Sequence, residues 1–390
     1  MKQELRRTLD TLGQNNEAVT SFMLLQATEA AVTLIPLRRG RREHFSPVAL
    51  VTRNASEIKV RSDQLTCRIL MGLLDGKKFV TTPESQLVEY SQTLSKGGGY
   101  VNIVISPRSE ESRDCVRASL DVLGDELVDT FLALLAVALE TNGTEHITFP
   151  FTITPDDILS IRQKKKSKGS YSAYQRQKVI EQVQTISRAS VSATIPLYQS
   201  KQRHIESPLL EFLSIDQPSS RKKYADNGHC YPWCLKIGDW ASMVPELQYQ
   251  TAVMARQVLG YHSRKQKHEK RLGRYMTLLY RINAYKHEGK VKVSMGVLLE
   301  QAGITPDLDH PGRMQEAIES ALEQLRIDGV IGPFTPLAEN SSRGRTSRER
   351  IKQRTYHWWD DYQRQPWLFD PPEYLHATYQ SKPREPDIPD

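Results

Sequence analysis

The segment FTITPDDILSIRQKKKSKGSYSAYQRQKVIEQVQTIS, residues 151–187, contains two helix signals separated by a basic turn. Thr154 is suited to an N-cap and Pro155 to the first helical position, and two acids follow in the first turn. The segment therefore predicts a short capped helix. After the Lys-rich turn 163–170, apolar residues at helical spacing predict a second helix over Tyr171–Ser187.

The flanking residues extend this pattern in both directions. Upstream, apolar residues recur at helical spacing over 127–138, and a strand is predicted over 146–153. Downstream, a β-branched strand over 191–198 precedes a polar, basic hairpin over 199–207. Helix, strand, helix, turn, helix, strand and hairpin is the order of a winged helix, whose second paired helix enters the major groove. The sequence therefore predicts a DNA-binding domain.

The start of this second helix supplies the side-chain types that DNA recognition needs. Arg and Gln can bind base edges with two hydrogen bonds, whereas Lys, Ser and Tyr can hold phosphates. The residues predicted to contact DNA here are Lys164, Lys165, Lys166, Lys168, Ser170, Tyr171, Tyr174, Gln175, Arg176 and Lys178, with Lys201 and Arg203 in the hairpin. The alternative is a basic amphipathic helix that faces water.

A second unit with the same order of elements follows. Its predicted elements are a helix over 269–285, a strand over 291–294, a helix from Ser294 to Gln301, a helix from Asp307 or Asp309 to Leu325, and a strand over 330–331. The Arg-rich loop 340–349 is predicted as its wing. The acids Glu316, Glu319 and Glu323 on the last helix would repel phosphate. The predicted DNA contacts of this unit are Arg264, Lys267, Arg271, Arg274, Arg313, Arg343, Arg345 and Arg348.

The composition places the chain among globular proteins. It has 390 residues, a formal net charge of +7 and four cysteines, which excludes the collagen-like, disordered and disulfide-scaffold classes. No apolar run is long enough for a membrane span, so we expect no membrane contact. The cysteines are too few and too scattered for a disulfide framework, so we expect a cytoplasmic protein. Much of the positive charge lies in clusters at 38–42, 162–178, 264–281 and 343–354. Each cluster indicates either a polyanion-binding surface or a solvated face.

The predicted fold class is α+β, with two winged-helix (helix-turn-helix) domains preceded by a smaller mixed α/β N-terminal region. The predicted divisions are an N-terminal region at 1–110, the two domains at 113–240 and 241–370, and a disordered tail at 371–390. Polar residues at 106–113 suggest the first boundary. Within the N-terminal region, we predict strands over 31–37, 48–52 and 101–105 and a short helix over 65–74. Aromatic residues over 356–369 are predicted to fix the C-terminal segment to its domain, the alternative being base stacking.

Catalytic and metal-binding patterns receive little support. Cys230 and Cys234 lack a second pair of ligands for zinc. His268 and Arg271 match the His-x-x-Arg box of tyrosine recombinases, with Tyr356, Tyr362 and Tyr374 downstream, but the start of an amphipathic helix is an unsuitable place for such a box. We therefore expect no catalytic residues, metal or cofactor, and we keep a recombinase-like enzyme as an alternative.

Three stretches carry a resemblance to a known family: Thr130–Ala136 with Ile153–Leu159, Arg271–Tyr275 with Arg281-Ile282, and Ala317–Leu325 with Asp328–Ile331. Over about residues 113–340 the chain resembles the tandem winged helices of plasmid replication initiators of the iteron-binding RepA, RepE and TrfA type. The resemblance implies binding of repeated origin sites in double-stranded DNA through both units, opening of the adjacent duplex, and recruitment of a host initiator and helicase. It also implies a homodimer that converts to active monomers, and association with a plasmid or the nucleoid. A winged-helix transcription regulator that uses the same helices is the second alternative.

Overall fold

The structure of the chain is a computed structural model that describes residues 55–74, 79–81, 87–93, 99–107, 113–167, 169–196, 202–215, 232–243, 250–284, 289–337 and 358–380. The predicted strands at 31–37 and 48–52 lie outside these ranges. Across the described ranges the structure contains no helix with the length and apolarity needed to cross a membrane. The mixed α and β composition agrees with the predicted class.

The described N-terminal elements are β1 (Glu57–Arg61), α1 (Gln64–Leu73), β2 (Val80–Thr81), β3 (Val88–Thr93) and β4 (Tyr100–Ile105). The predicted helix at 65–74 and strand at 101–105 are confirmed. Asp63 caps α1 by accepting a hydrogen bond from the Thr66 amide at 2.9 Å. This satisfies one of the amides that the first turn of a helix leaves without a partner.

A long helix, α2 (Arg113–Asn142), runs through the core. Its predicted apolar row is buried, with Leu127, Phe131 and Leu134 each less than 1% exposed. The helix ends at Gly143, whose φ of 72° lies in the left-handed region that favours glycine.

The first unit continues with β5 (Phe151–Ile153), α3 (Pro155–Ile161), α4 (Ala173–Ser187), β6 (Ala189–Pro196) and β7 (Gln202–Pro208). The helices and strands from α2 to β7 follow in the predicted order, and the winged-helix arrangement of these elements stays a prediction. Two boundaries differ: residues 146–150 form a turn rather than part of β5, and α4 begins at Ala173 because Ser172 caps it.

Two sheets connect this unit to the rest of the chain. The five-stranded sheet has the order β2-β3-β4-β6-β7, and β4 pairs with β6 antiparallel, Tyr100 opposite Thr194. The next strands, β8 (Leu210–Ile215) and β9 (Trp233–Ile237), form a separate sheet in the order β5-β9-β8. The predicted boundary at 106–113 is therefore wrong as a domain boundary, because strands on both sides of it share one sheet.

The second unit consists of β10 (Thr251–Ala255), α5 (Gln257–Gly260), α6 (Lys267–Asn283), β11 (Val291–Ser294), α7 (Met295–Gln301), α8 (Pro311–Ile327) and β12 (Phe334–Pro336). Strand β10 pairs with β1, which joins this unit to the N-terminal region as well. The predicted row on α8 is confirmed, since Met314, Ile318, Ala321, Leu322 and Leu325 are all buried. Residues 330–331 form a buried bend rather than the predicted strand.

The C-terminal segment completes the second unit with α9 (Trp358–Arg364), β13 (Pro366–Phe369) and α10 (Glu373–Gln380). Strand β13 lies between β11 and β12 in a three-stranded sheet, and Trp359, Tyr362 and Trp367 are buried. The prediction that these aromatics fix the segment to its domain is confirmed. The predicted disordered tail at 371–390 is wrong for 373–380, which form a helix with Leu375 buried.

Candidate nucleic-acid interface

The turn between α3 and α4 displays lysines at the surface. Gln163 adopts a left-handed conformation with φ 51°, and the Lys164 amide donates to the Leu159 carbonyl at 2.9 Å. Ser167 and Ser170 then exchange two backbone hydrogen bonds, of 2.8 and 3.1 Å. Lys165 and Lys166 lie between these backbone hydrogen bonds, and their side chains are exposed. Ser170 is exposed as well, whereas Lys164 is half-buried.

The first turn of α4 is closed by a capping box. The Ser172 hydroxyl accepts from the Gln175 amide at 3.2 Å, and Gln175 Oε1 accepts from the Ser172 amide at 2.9 Å. Gln175 Nε2 also donates to the Lys165 carbonyl at 3.2 Å. In this arrangement Gln175, predicted to read bases, holds the basic turn against the helix instead.

Two other predicted DNA contacts also have structural partners. Arg176 forms a bidentate ion pair with Asp156, of 2.7 and 2.9 Å, which ties α4 to the first turn of α3. Tyr171 is only 5% exposed, and Lys166 Nζ lies 5.3 Å from the centre of its ring. Both residues support the helix pair rather than project from it.

The outer face of α4 presents Tyr174 and Gln177. Tyr174 is 68% exposed, and Lys178 Nζ lies 5.0 Å from its ring centre, close enough for a cation–π contact. Gln177 is exposed and donates to Glu181 at 3.2 Å. The sequence reasoning missed Gln177, although its position three residues after Tyr174 places both on one helix face.

Beneath α4, a buried polar group links it to α2 and α3. Arg162 is 1% exposed and donates to Thr130 at 2.9 Å and to Gln182 at 2.7 Å. Gln182 in turn donates to Glu126 at 3.1 Å. Burial alone would raise the pKa of Glu126, but the positive charges of Arg162, Lys164 and Lys178 together outweigh it and lower that pKa.

Arg271 and Arg274 do not face solvent, which corrects their predicted role as DNA contacts. Arg271 Nε lies 3.0 Å from Asp125 Oδ2, and Arg274 NH1 lies 2.8 Å from Asp125 Oδ1. Arg274 and Lys270 both pair with Asp129, and the exposed fraction of each of these five residues is 9% or less. We call these five residues the buried ion network; it joins α6 to α2.

The remaining predicted contacts are distributed over the surface. Arg264 and Lys267 are exposed at the start of α6, together with Lys265, which the sequence reasoning did not include. Arg313 is exposed on the first turn of α8, and Arg203 on β7 donates to the Met243 carbonyl. Five predicted contacts lie outside the described residues: Lys168, Lys201, Arg343, Arg345 and Arg348.

The residues that match the recombinase pattern do not form a common site, because each has a different structural environment. His268 is half-buried, Arg271 belongs to the buried ion network, and Tyr362 packs between Trp359 and Trp367. Among the described residues no group of three or more His, Cys, Asp or Glu side chains is placed to hold a metal ion.

Comparisons with known proteins give matches in structure alone. No protein-family model matches the chain. No curated protein matches its sequence. A crystal structure of RctB domains 2-3 (residues 155–483 of RctB) has a TM-score of 0.42 and 10% identity over 80% of this chain and 99% of that chain. The selenomethionine crystal structure of the same two domains has the same TM-score and identity, over 79% of this chain and 98% of that chain.

Proposed function

We propose that the chain is a sequence-specific double-stranded DNA-binding protein that acts as a replication initiator, with α4 as its reading helix. The observation that carries the proposal is the exposed surface formed by Lys165, Lys166, Tyr174 and Gln177. The first acid along α4 is the exposed Glu181, which accepts a hydrogen bond from Gln177. No acidic residue occurs in the sequence between Arg162 and Glu181, and the four side chains of this surface are all positive or neutral. That is the charge that a phosphate backbone requires.

The local geometry suits insertion into a major groove, which is about 12 Å wide and admits one helix. The Gln177 amide can bind adenine, and the exposed Tyr174 ring can contact the methyl group of thymine. The lysines of the preceding turn can hold phosphates and so set the depth and register of the helix. The Arg176–Asp156 pair keeps α3 and α4 in a fixed mutual orientation during that contact.

The initiator role is supported by the resemblance of residues 113–340 to plasmid replication initiators and by the repeated order of elements in one chain. In this proposal the protein is cytoplasmic and plasmid-associated, binds repeated origin sites as two winged helices, and promotes opening of the adjacent duplex. A host initiator, a helicase and a second copy of the chain are its proposed partners. A transcription regulator would use the same reading helix on a different arrangement of sites.

The first test is selection of bound duplexes from a random pool with the full chain. We expect one enriched motif, and we expect the Tyr174→Ala/Gln177→Ala variant to lose that enrichment while it keeps salt-sensitive, non-specific binding. Lys292→Gln, an exposed change on β11, is the control. Equal enrichment by the double variant would rule out α4 as the reading helix.

The second test separates an initiator from a regulator. A plasmid that carries only this gene and its flanking DNA should replicate, and the Tyr174→Ala/Gln177→Ala variant should abolish replication. Footprints on the flanking DNA should show tandem direct repeats. A single palindrome at a promoter, with no replication of the plasmid, would replace the initiator with a regulator.

A further inference from the structure

The chain has two basic turns, each immediately before a helix of a different unit. The first turn, 164–167, exposes Lys165 and Lys166 before α4. The second, 262–267, leads into α6 and exposes Arg264, Lys265 and Lys267. Neither turn contains an acidic residue. In the sequence the two turns are about a hundred positions apart, and nothing in their composition indicates that they are neighbours.

The residues that precede the two turns are in contact with each other. A Cβ built on Gly260 would lie 2.7 Å from Gln163 Oε1 and 3.3 Å from Gln163 Cβ, so Gln163 lies directly against this glycine. Gln163 directly precedes the first turn, and Gly260 is two residues before the second. A side chain at position 260 would have to displace the Gln163 side chain.

The buried ion network stabilises the chain next to this contact. Lys270, in the first turn of α6, pairs with Asp129 and donates to the Leu259 carbonyl at 3.2 Å. Burial and the charge of Arg162 lower the pKa of Lys164, and the charge of Asp129 opposes this shift. One carboxylate on α2 therefore pairs with the first turn of α6 and acts electrostatically on the first basic turn.

The His262 ring fixes the shape of the second turn. Its Nδ1 accepts from the amides of Arg264 and Lys265 at 3.1 and 3.3 Å. Gln266 Oε1 accepts from the His262 amide at 3.1 Å, which closes the same turn from the other side. The backbone of this turn is thus as well ordered by its own hydrogen bonds as the turn before α4.

We propose that Lys165, Lys166, Arg264, Lys265 and Lys267 form one phosphate-binding surface, the junction surface, which holds the backbone of the same duplex that α4 reads. The inference rests on the proposed function and adds to it a role for the second unit that does not involve its helix α8. Long lysine and arginine side chains that start from adjacent turns can reach neighbouring phosphates of one duplex, which carries one charge for about every 1.7 Å of its axis.

Salt dependence of binding tests the junction surface without knowledge of the recognised sequence. The probe is a duplex of random sequence and about 15 bp, roughly one and a half helical turns, so that only one site is available. Binding by the full chain is followed by fluorescence anisotropy over a range of salt concentrations. The variants are Lys165→Gln/Lys166→Gln, Arg264→Gln/Lys265→Gln and the fourfold combination. Lys59→Gln/Lys292→Gln, with exposed lysines on β1 and β11, is the control.

Each phosphate contact adds about 0.9 to the steepness with which log affinity falls against log salt. Each turn variant loses two such contacts and should reduce this steepness by about 1.8, the fourfold variant should reduce it by about twice as much, and the control should leave it unchanged. An unchanged slope for Arg264→Gln/Lys265→Gln alone overturns the junction surface and leaves α4 as the reading helix. Unchanged slopes for both turn variants overturn the proposed DNA-binding function as well. Equal melting temperatures of all variants exclude misfolding as the cause.

Discussion

Helices α4 and α8 hold the same position in the order of their units, yet their solvent-facing sides differ in charge. On α4 the first acid is Glu181, after Tyr174, Gln177 and Lys178. On α8 two exposed cations, Arg313 and Arg326, lie on either side of three acids along the helix: Glu316, Glu319 and Glu323. The same order of elements therefore presents a surface that attracts phosphate in one unit and a surface that repels it in the other.

Several polar side chains of α8 also form hydrogen bonds with one another. Gln315 donates to Glu319 at 2.8 Å, and Arg326 donates to Glu323 at 2.8 and 2.5 Å. Hydrogen bonding from Arg326 lowers the pKa of Glu323, which keeps this carboxylate charged. Under the proposed function, this difference in charge assigns the reading face to α4, and we expect the second unit to contribute through the turn before α6.

The two helices are also anchored differently. Helix α4 packs through a buried apolar row, Val179, Val183 and Ile186, and also through a buried polar group that Arg162 forms with Thr130 and Gln182. The buried residues of α8 are all apolar. At the α6–α8 contact, a Cβ on Gly273 would lie 3.0 Å from Val258 and 3.3 Å from Leu325. We therefore expect polar substitutions at the buried contacts to distinguish α4, and changes of volume to be the main sensitivity of α8.

The largest expected effect comes from the buried ion network that connects the two units. Asp129→Asn would remove the carboxylate that Lys270 and Arg274 share and would leave two buried cations with less compensation. Breaking such a pair costs about 3–5 kcal/mol of the free energy of unfolding. Urea unfolding followed by circular dichroism measures it. Asp309→Asn, at an exposed position before α8, should change stability by less than about 0.5 kcal/mol. Equal effects of the two substitutions would contradict the network's structural role.

The network also shows where sequence reasoning stops. Capping of α3 and the buried row of α8 were predicted correctly because these signals are local: an N-cap, a first-turn proline and a spacing of 3.6 residues. Arg271 and Arg274 were assigned to the surface because each lies beside an apolar row, as solvent-facing basic residues do. Their partner Asp125 is 146 and 149 residues away, so no local pattern reveals the pairing. Asp125 and Asp129, four apart in an apolar helix, were the available signal.

The same reason explains the domain division. The pairing of β4 with β6 joins residues that α2, α3 and α4 separate in the chain, and a strand's pattern does not identify its partner. On the candidate surface, the sequence predicted the basic turn and Tyr174 but not the structural roles of Gln175 and Arg176. Both are polar residues on a helix start, and only the structure shows that one closes a capping box and the other holds Asp156.

The second effect compares the two helix faces directly. Tyr174→Ala/Gln177→Ala on α4 should weaken binding to the selected duplex by at least about tenfold, because each base contact contributes about 1–3 kcal/mol. The matched variant Arg313→Ala/Ser320→Ala changes exposed residues on α8 and should weaken it by less than about threefold. Anisotropy with the selected duplex at fixed salt measures both. If the α8 variant caused the greater loss, the assignment of the reading face would have to be reversed.

The third effect tests how closely α8 packs. Gly273→Ala would place a methyl group against Val258 and Leu325 and should lower the free energy of unfolding by about 1–3 kcal/mol. Gly312→Ala, also in a helix of this unit but with open space around it, should raise it by up to about 1 kcal/mol because alanine favours the helix. Chemical unfolding of both variants measures the sign of each change in the free energy of unfolding. Two changes of the same sign would show that the contact at Gly273 can relax.

The smallest effect concerns the acids of α8. Glu316→Gln removes a negative charge from an exposed position of that helix, so repulsion of a nearby duplex should fall. The energy involved is a fraction of a kcal/mol at about 0.15 M salt, because charges further apart than about 8 Å are largely screened. We expect non-specific affinity to rise by less than about threefold at low salt and the gain to vanish as salt increases. Glu145→Gln, an exposed acid in the turn after α2, is the matched control. An equal gain for Glu145→Gln would mean that the chain responds to its net charge, and the contrast between α4 and α8 would then have no bearing on how DNA approaches.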